Sequence, residues 1–139
     1  GRVVSQWCML DLSKRTAVDL RAVAESHNDA IVECPSPAEK PRKVPAPDAE
    51  PVLTHKVAYS DIDFNRHVNT MRYIEMMLDV LPIERFAEER PLRLDINFLK
   101  EARYGQTLSV ALEERGSQTL VEIRSDAGAA LCRGAFEWR

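Results

Sequence analysis

The chain has 139 residues, 45% of them hydrophobic, with 19 Lys and Arg against 22 Asp and Glu. This length suits one domain with a core of its own. The formal net charge of −3 argues against a nucleic-acid partner, and no run approaches the ~20 apolar residues of a membrane-spanning helix.

Residues 3–10 and 14–20 are apolar-rich runs parted by Asp11-Leu12-Ser13, which predicts a β-hairpin. Residues 21–33 are ambiguous. Arg21-Ala22-Val23-Ala24-Glu25 can start a short helix, and His27 has no supporting partners in sequence. Composition then shifts: Pro35, Pro37, Pro41, Pro45, Pro47 and Pro51 fall within seventeen residues, mixed with Lys40, Arg42 and Lys43. Proline lacks an N–H and fixes φ, which excludes a helix interior or a central strand. Residues 34–51 are therefore expected to be extended and solvated. The expected organisation is a hairpin over 1–20, a Pro-rich linker over 21–51 and a compact domain over 52–139.

Within that domain, Val57 and Tyr59 lie on one face of a short strand. A polar run follows, and then Met71, Ile74, Met77, Leu78 and Leu81 repeat at helical spacing, with Arg72, Glu75 and Asp79 opposite. Pro82 ends this helix or starts the next turn, and Met76 and Met77 are expected in the core. Leu92, Leu94, Ile96 and Phe98 then alternate with Arg93, Asp95 and Asn97, the pattern of a half-buried strand. Leu108, Val110 and Leu112 repeat that pattern. Turn signals at Glu114-Arg115-Gly116-Ser117 and Ser125-Asp126-Ala127-Gly128 separate it from Thr119–Arg124 and from a last strand with Leu131, Phe136 and Trp138. One strand, one helix and an antiparallel meander predict an α+β architecture, a curved sheet wrapped on a central helix.

Three cysteines, Cys8, Cys34 and Cys132, form an odd set without paired spacing. Reduced thiols in a reducing, cytoplasmic setting are expected. Neither CxxC nor HxxxH spacing occurs, so no metal is expected, and no cofactor is called for. The chain opens at Gly1 without a signal or transit peptide pattern, so it is expected to be processed or a piece of a longer protein.

The chemistry concentrates in the polar run Tyr59-Ser60-Asp61-Ile62-Asp63-Phe64-Asn65-Arg66-His67-Val68-Asn69. Two carboxylates, a carboxamide and an imidazole within seven residues, at the mouth of a helix, can orient water and stabilise developing charge. Asp61 is read as a turn former and Asn69 as the helix N-cap. His55, without acidic neighbours, is left outside the site.

The order Asp-x-Asp-x-Asn-x-His-Val-Asn before a Tyr-containing helix resembles the catalytic segment of acyl-acyl carrier protein (acyl-ACP) thioesterases, whose chains hold two hotdog domains. Ser5, Trp7, Met9 and Arg15 resemble the last hairpin of that family's first hotdog. Arg133-Gly134-Ala135-Phe136-Glu137-Trp138-Arg139 resembles the close of its second. The resemblance implies the hotdog fold and thioester hydrolysis by Asp63, Asn65, His67 and Glu101. Glu101 would orient or deprotonate water and His67 would serve as general acid and base. Asn65 would donate to the carbonyl oxygen, Asp63 would fix the imidazole or the loop, and backbone N–H groups near Asn69 and Thr70 would add to the oxyanion hole. Strand alternation places Glu101 with Asp95 and Asn97, away from the apolar face. Plant members often carry cysteine directly after this glutamate. Ala102 stands there, which disfavours a covalent cysteine mechanism.

Three readings stand on these residues. The first is an acyl-ACP thioesterase releasing free fatty acid, its acidic carrier met by Arg72, Arg85, Arg90, Arg93, Lys100 and Arg103. The second is an acyl-CoA hotdog thioesterase, and the third a hotdog module that binds an acyl chain or a partner without cleaving. A catalytic half parted from its companion hotdog is also expected to self-associate and to show low activity alone.

Overall fold

The computed structural model describes residues 1–11, 13–14, 16–30, 35 and 39–139. Leu12, Arg15, Cys34 and Pro37, on which parts of the sequence reading fall, lie outside the described residues. The chain forms two compact units, 1–41 and 42–139.

In the first unit the hairpin is short: β1 (Leu10–Asp11) pairs antiparallel with β2 (Thr16–Ala17). The Asp11 carboxylate accepts from the N–H groups of Ser13 and Lys14 and makes the turn. Residues 1–9 form no strand, and Val3 and Trp7 are exposed. A two-stranded ribbon with no covered face has little to extend it. The helical option holds over α1 (Arg21–Ser26).

The second unit is a five-stranded antiparallel sheet in the order β3-β5-β6-β7-β4, with helix α2 on its inner face. The strands are β3 (Pro51–Lys56), β4 (Pro91–Phe98), β5 (Thr107–Arg115), β6 (Gln118–Ser125) and β7 (Ala130–Trp138). Strands β5, β6 and β7 fall where the turn signals in the sequence divide them. Register places Val110 opposite Ile123 and Ile123 opposite Cys132, so these apolar residues share the inner face. The β5–β6 and β6–β7 turns carry Gly116 and Gly128 at φ +60° and +75°, the left-handed region that glycine enters without a Cβ penalty.

Helix α2 (Thr70–Leu78) starts at Asn69, whose side-chain oxygen accepts the Met71 N–H at 2.8 Å, the expected N-cap. Its buried face is Tyr73, Met76 and Met77. This corrects the expected stripe, because Met71 and Leu78 are exposed. Contact with the sheet selects the face centred on Met77. Helix α3 (Arg85–Glu88) docks on the far end of the sheet. There Arg85 lies over the Trp138 ring at 4.4 Å and pairs with Glu114, while Thr119 accepts from the Trp138 indole and Arg85.

Two further corrections concern what covers the sheet. Residues 42–50, read as solvated, lie along its outer face. Val44 and Pro47 are buried. The N–H groups of Arg42, Val44 and Asp48 donate to side chains of Asp95, Asn97 and Glu113. The prolines keep this segment extended, and carboxylate and carboxamide groups on the sheet accept the N–H groups it still has. At the β4 edge the polar Asp95 is thus covered, while Leu92, Leu94 and Phe98 on the helix side remain exposed. Tyr59, placed on the strand by its spacing, instead opens a 3₁₀ turn over Tyr59–Asp61 and is exposed.

Candidate active site

The polar run folds as a tight loop between the 3₁₀ turn and α2. Its two sides pair: the Asn69 N–H donates to the Asp61 carbonyl at 2.8 Å, Ile62 bridges Val68, and the Asp63 N–H donates to the His67 carbonyl at 2.9 Å. At the tip the Asp63 carboxylate accepts from the N–H of Asn65 at 2.8 Å and of His67 at 3.4 Å, and Arg66 takes φ +64°. Asp63 therefore holds the loop rather than the imidazole ring. The Asn65 carboxamide is exposed and makes no side-chain hydrogen bond among the described residues. With its N–H given to Asp61, Asn69 is not available to an oxyanion.

Glu101 does not follow the alternation of β4. The N–H groups of Leu99 and Lys100 both donate to the Leu131 carbonyl, at 2.8 and 3.1 Å. Two residues against one is a bulge, and a bulge re-aims the side chains beyond it. The carboxylate of Glu101 thus reaches the loop, with Oε2 3.2 Å from His67 Nε2. An ionised carboxylate only accepts, so this contact favours a proton on Nε2. His67 is partly open to solvent and Glu101 mostly so. The structure thus brings His67 and Glu101 side chains together, fixes Asp63 beneath them through backbone N–H groups, and sets Asn65 on the same loop.

A second charged cluster lies at the base of the loop, and sequence reading missed it. His55, six residues before Asp61 and on another element, has an acidic partner that its own strand does not supply: Nε2 is 2.8 Å from Asp61 Oδ2. The same oxygen accepts the Ala58 N–H at 2.7 Å, and Arg72 Nε stands 3.6 Å from Oδ1. Burial alone would raise the Asp61 pKa. The Ala58 N–H, His55 and Arg72 outweigh it and hold the carboxyl below its usual value. The stabilisation is therefore present above the unfolded-state pKa and is lost as pH falls through the lower folded one. Asp61→Asn is expected to cost about 1–3 kcal/mol at pH 7. That gap should begin to shrink below about pH 4, where the carboxyl of the unfolded chain protonates, and close as pH falls through the lower folded value. Urea unfolding at pH 7 and pH 3 measures both, and a gap independent of pH would contradict it.

Neither cysteine among the described residues supports cysteine chemistry at this loop. Cys132 lies in the core, where burial pushes its thiol to about 12, and Cys8 is exposed in the first unit. Among the described residues no three His, Cys, Asp or Glu side chains gather as a metal site, and no helix is long and apolar enough to cross a membrane.

Residues 46–139 match the family model of the acyl-ACP thioesterase C-terminal domain. The chain belongs to the acyl-ACP thioesterase family. A crystal structure of an acyl-ACP thioesterase from Bacteroides thetaiotaomicron is similar at TM-score 0.78 and 31% identity, over 94% of this chain and 53% of that one. The 12:0-ACP thioesterase of Umbellularia californica, at TM-score 0.75 and 18% identity over 94% and 52%, shares the fold. The chloroplastic acyl-[acyl-carrier-protein] hydrolase FATB3 of Cuphea viscosissima is 30% identical over 87 residues, 58% of this chain and 21% of the relative. The chain thus spans about half the length of those solved relatives and less of the curated one. The fold is the hotdog, an antiparallel sheet around one helix, as the family resemblance implied. Ala102, which stands where plant members often have cysteine, is wholly buried here.

Proposed function

We propose that this chain carries the catalytic residues of a thioesterase that hydrolyses fatty acyl-ACP to free fatty acid and carrier thiol. The observation that carries the reading is the His67–Glu101 contact, 3.2 Å between Nε2 and Oε2, beside the Asp63 and Asn65 loop. In this reading Glu101 orients a water and holds the imidazole, and His67 accepts the water proton as the oxygen attacks the thioester carbon. Asn65 donates to the carbonyl oxygen as it gains charge. The C–S bond then breaks, and the proton on His67 passes to the departing thiolate. A histidine suits both transfers near neutral pH.

Charge supports an acidic carrier, by fewer groups than the sequence offered. Arg72, Arg85 and Arg93 are engaged by Asp61, Glu75, Glu89, Glu114 and Asp95. Lys100 and Arg103 flank Glu101, are exposed, and enter no ion pair among the described residues. The bare apolar side chains of β4, Leu92, Leu94 and Phe98, support self-association or a companion domain.

Hydrolysis of matched acyl-ACP and acyl-CoA substrates tests the reading. Turnover of acyl-ACP is expected to exceed that of acyl-CoA, and Lys100→Glu with Arg103→Glu is expected to raise KM for acyl-ACP alone, by roughly tenfold. Equal use of both carriers would favour the acyl-CoA reading. No turnover, with or without an added companion hotdog, would leave a binding module. Sedimentation velocity on the same preparations reports association, and a monomer would count against it.

A further inference from the structure

Glu101 stands outside any strand with a largely solvated side chain, yet its carboxylate is aimed at His67. Upstream, the Leu131 carbonyl holds Leu99 and Lys100. Downstream, the next residue is held on both sides. The Ala102 carbonyl accepts the Val68 N–H at 2.9 Å, and the Ala102 N–H donates to the hydroxyl oxygen of Tyr73 at 2.9 Å. Val68 follows His67 and Ala102 follows Glu101, so one backbone hydrogen bond ties the two neighbours together. Tyr73 braces that tie from inside the core. It is 4% exposed and Ala102 is fully buried.

We infer that Tyr73 is a positioning residue that keeps Glu101 against His67 through the buried hydrogen bond from the Ala102 N–H. A buried N–H without an acceptor costs its full desolvation penalty, so Ala102 must either keep this bond or move. Its side chain packs in the core and cannot swing out alone. Any shift of Ala102 is carried directly into Glu101. Displacements of about 1 Å in a reacting geometry cost on the order of 100-fold in rate. Tyr73 also packs edge-on against Phe98, ring centres 6.0 Å apart, and phenylalanine would keep that contact. The consequence for turnover rests on the thioester-hydrolysis reading; the geometry does not.

Tyr73→Phe therefore isolates one oxygen atom. In this chain the Ala102 amide is expected to exchange at least ~10-fold faster. The His67 ring Nε2 resonance is expected to move toward its position in Glu101→Gln. Met76→Leu, a buried neighbour on the same helix with no hydrogen bond to the Glu101 segment, controls for general loosening and should leave that resonance in place. In acyl-ACP hydrolysis Tyr73→Phe is expected to lower kcat roughly 10- to 100-fold with KM within about twofold. It should have less than about a twofold effect in a Glu101→Gln background, because the two act through one group. A parental His67 resonance in Tyr73→Phe, or a full kinetic effect persisting in Glu101→Gln, would overturn the inference. If the parent hydrolyses nothing, the functional reading fails while the ring resonance still decides the positioning role.

Discussion

His67→Ala is expected to lower acyl-ACP hydrolysis by on the order of 10²- to 10⁴-fold, the usual worth of a positioned proton-transfer group. The loss should fall on kcat, because in the proposed mechanism the imidazole moves a proton in the transition state and does little to hold the acyl chain. Glu101→Gln keeps the shape but presents an amide in place of one carboxylate oxygen. It is expected to cost nearly as much, and the double variant little more than either single one, since the two side chains act as a pair across 3.2 Å. Neither change should unfold the domain, because both side chains sit at the surface end of the loop and outside the core cluster. Urea unfolding on the same preparations separates lost chemistry from lost structure. If His67→Ala kept more than about a tenth of parental kcat with an unchanged unfolding midpoint, imidazole could not be the proton carrier.

The fold was legible where packing is two-sided and regular. Strands β5, β6 and β7 lie between neighbours in the sheet and are parted by the Gly116 and Gly128 turns, and the Asn69 cap announces α2. The polar loop before α2 was legible by composition. What the sequence hid lies where backbone contacts override periodicity. Glu101 reads as outward-facing until the doubled Leu131 acceptor adds a residue to the strand. The His55–Asp61 pair joins β3 to the 3₁₀ turn, and no spacing rule couples a strand residue to a turn carboxylate. Residues 42–50 read as solvated because proline has no N–H. Their anchors are the few N–H groups that remain, and the acceptors are polar side chains on an outer sheet face that alternation assigns to water. Tyr73 was visible as part of the motif, but the role inferred for it depends on the Ala102 amide, a backbone group that leaves no trace in the sequence.

Gly134→Val is expected to be the most damaging single change to stability. Gly134 lies in β7 opposite Val121 and Ile96, on the inner face, and its φ is not positive. Its missing side chain is therefore a matter of space rather than backbone freedom. A Cβ there would stand 2.6 Å from Met77 Sδ and 3.3 Å from Met77 Cε. Met77 is wholly buried, so its thioether has no open side to turn toward, and either its rotamer or the helix must give. Overpacking of this kind costs about 1–3 kcal/mol for one added group and more for a branched one. Met77→Ala alone should cost about 2–5 kcal/mol by leaving a cavity. Combining Gly134→Ala with Met77→Ala places the new methyl in the emptied space, so the pair should be at least about 1 kcal/mol more stable than the two single losses summed. Strict additivity in urea unfolding would mean that Gly134 does not limit the approach of α2 to the sheet. The contact also reaches the site. Met77 is one helical turn beyond Tyr73, so a helix pushed off β7 would draw the tyrosine oxygen away from Ala102 and loosen the hold on Glu101. Gly134→Ala, if it stays folded, should therefore lose kcat in proportion to the faster exchange of the Ala102 amide.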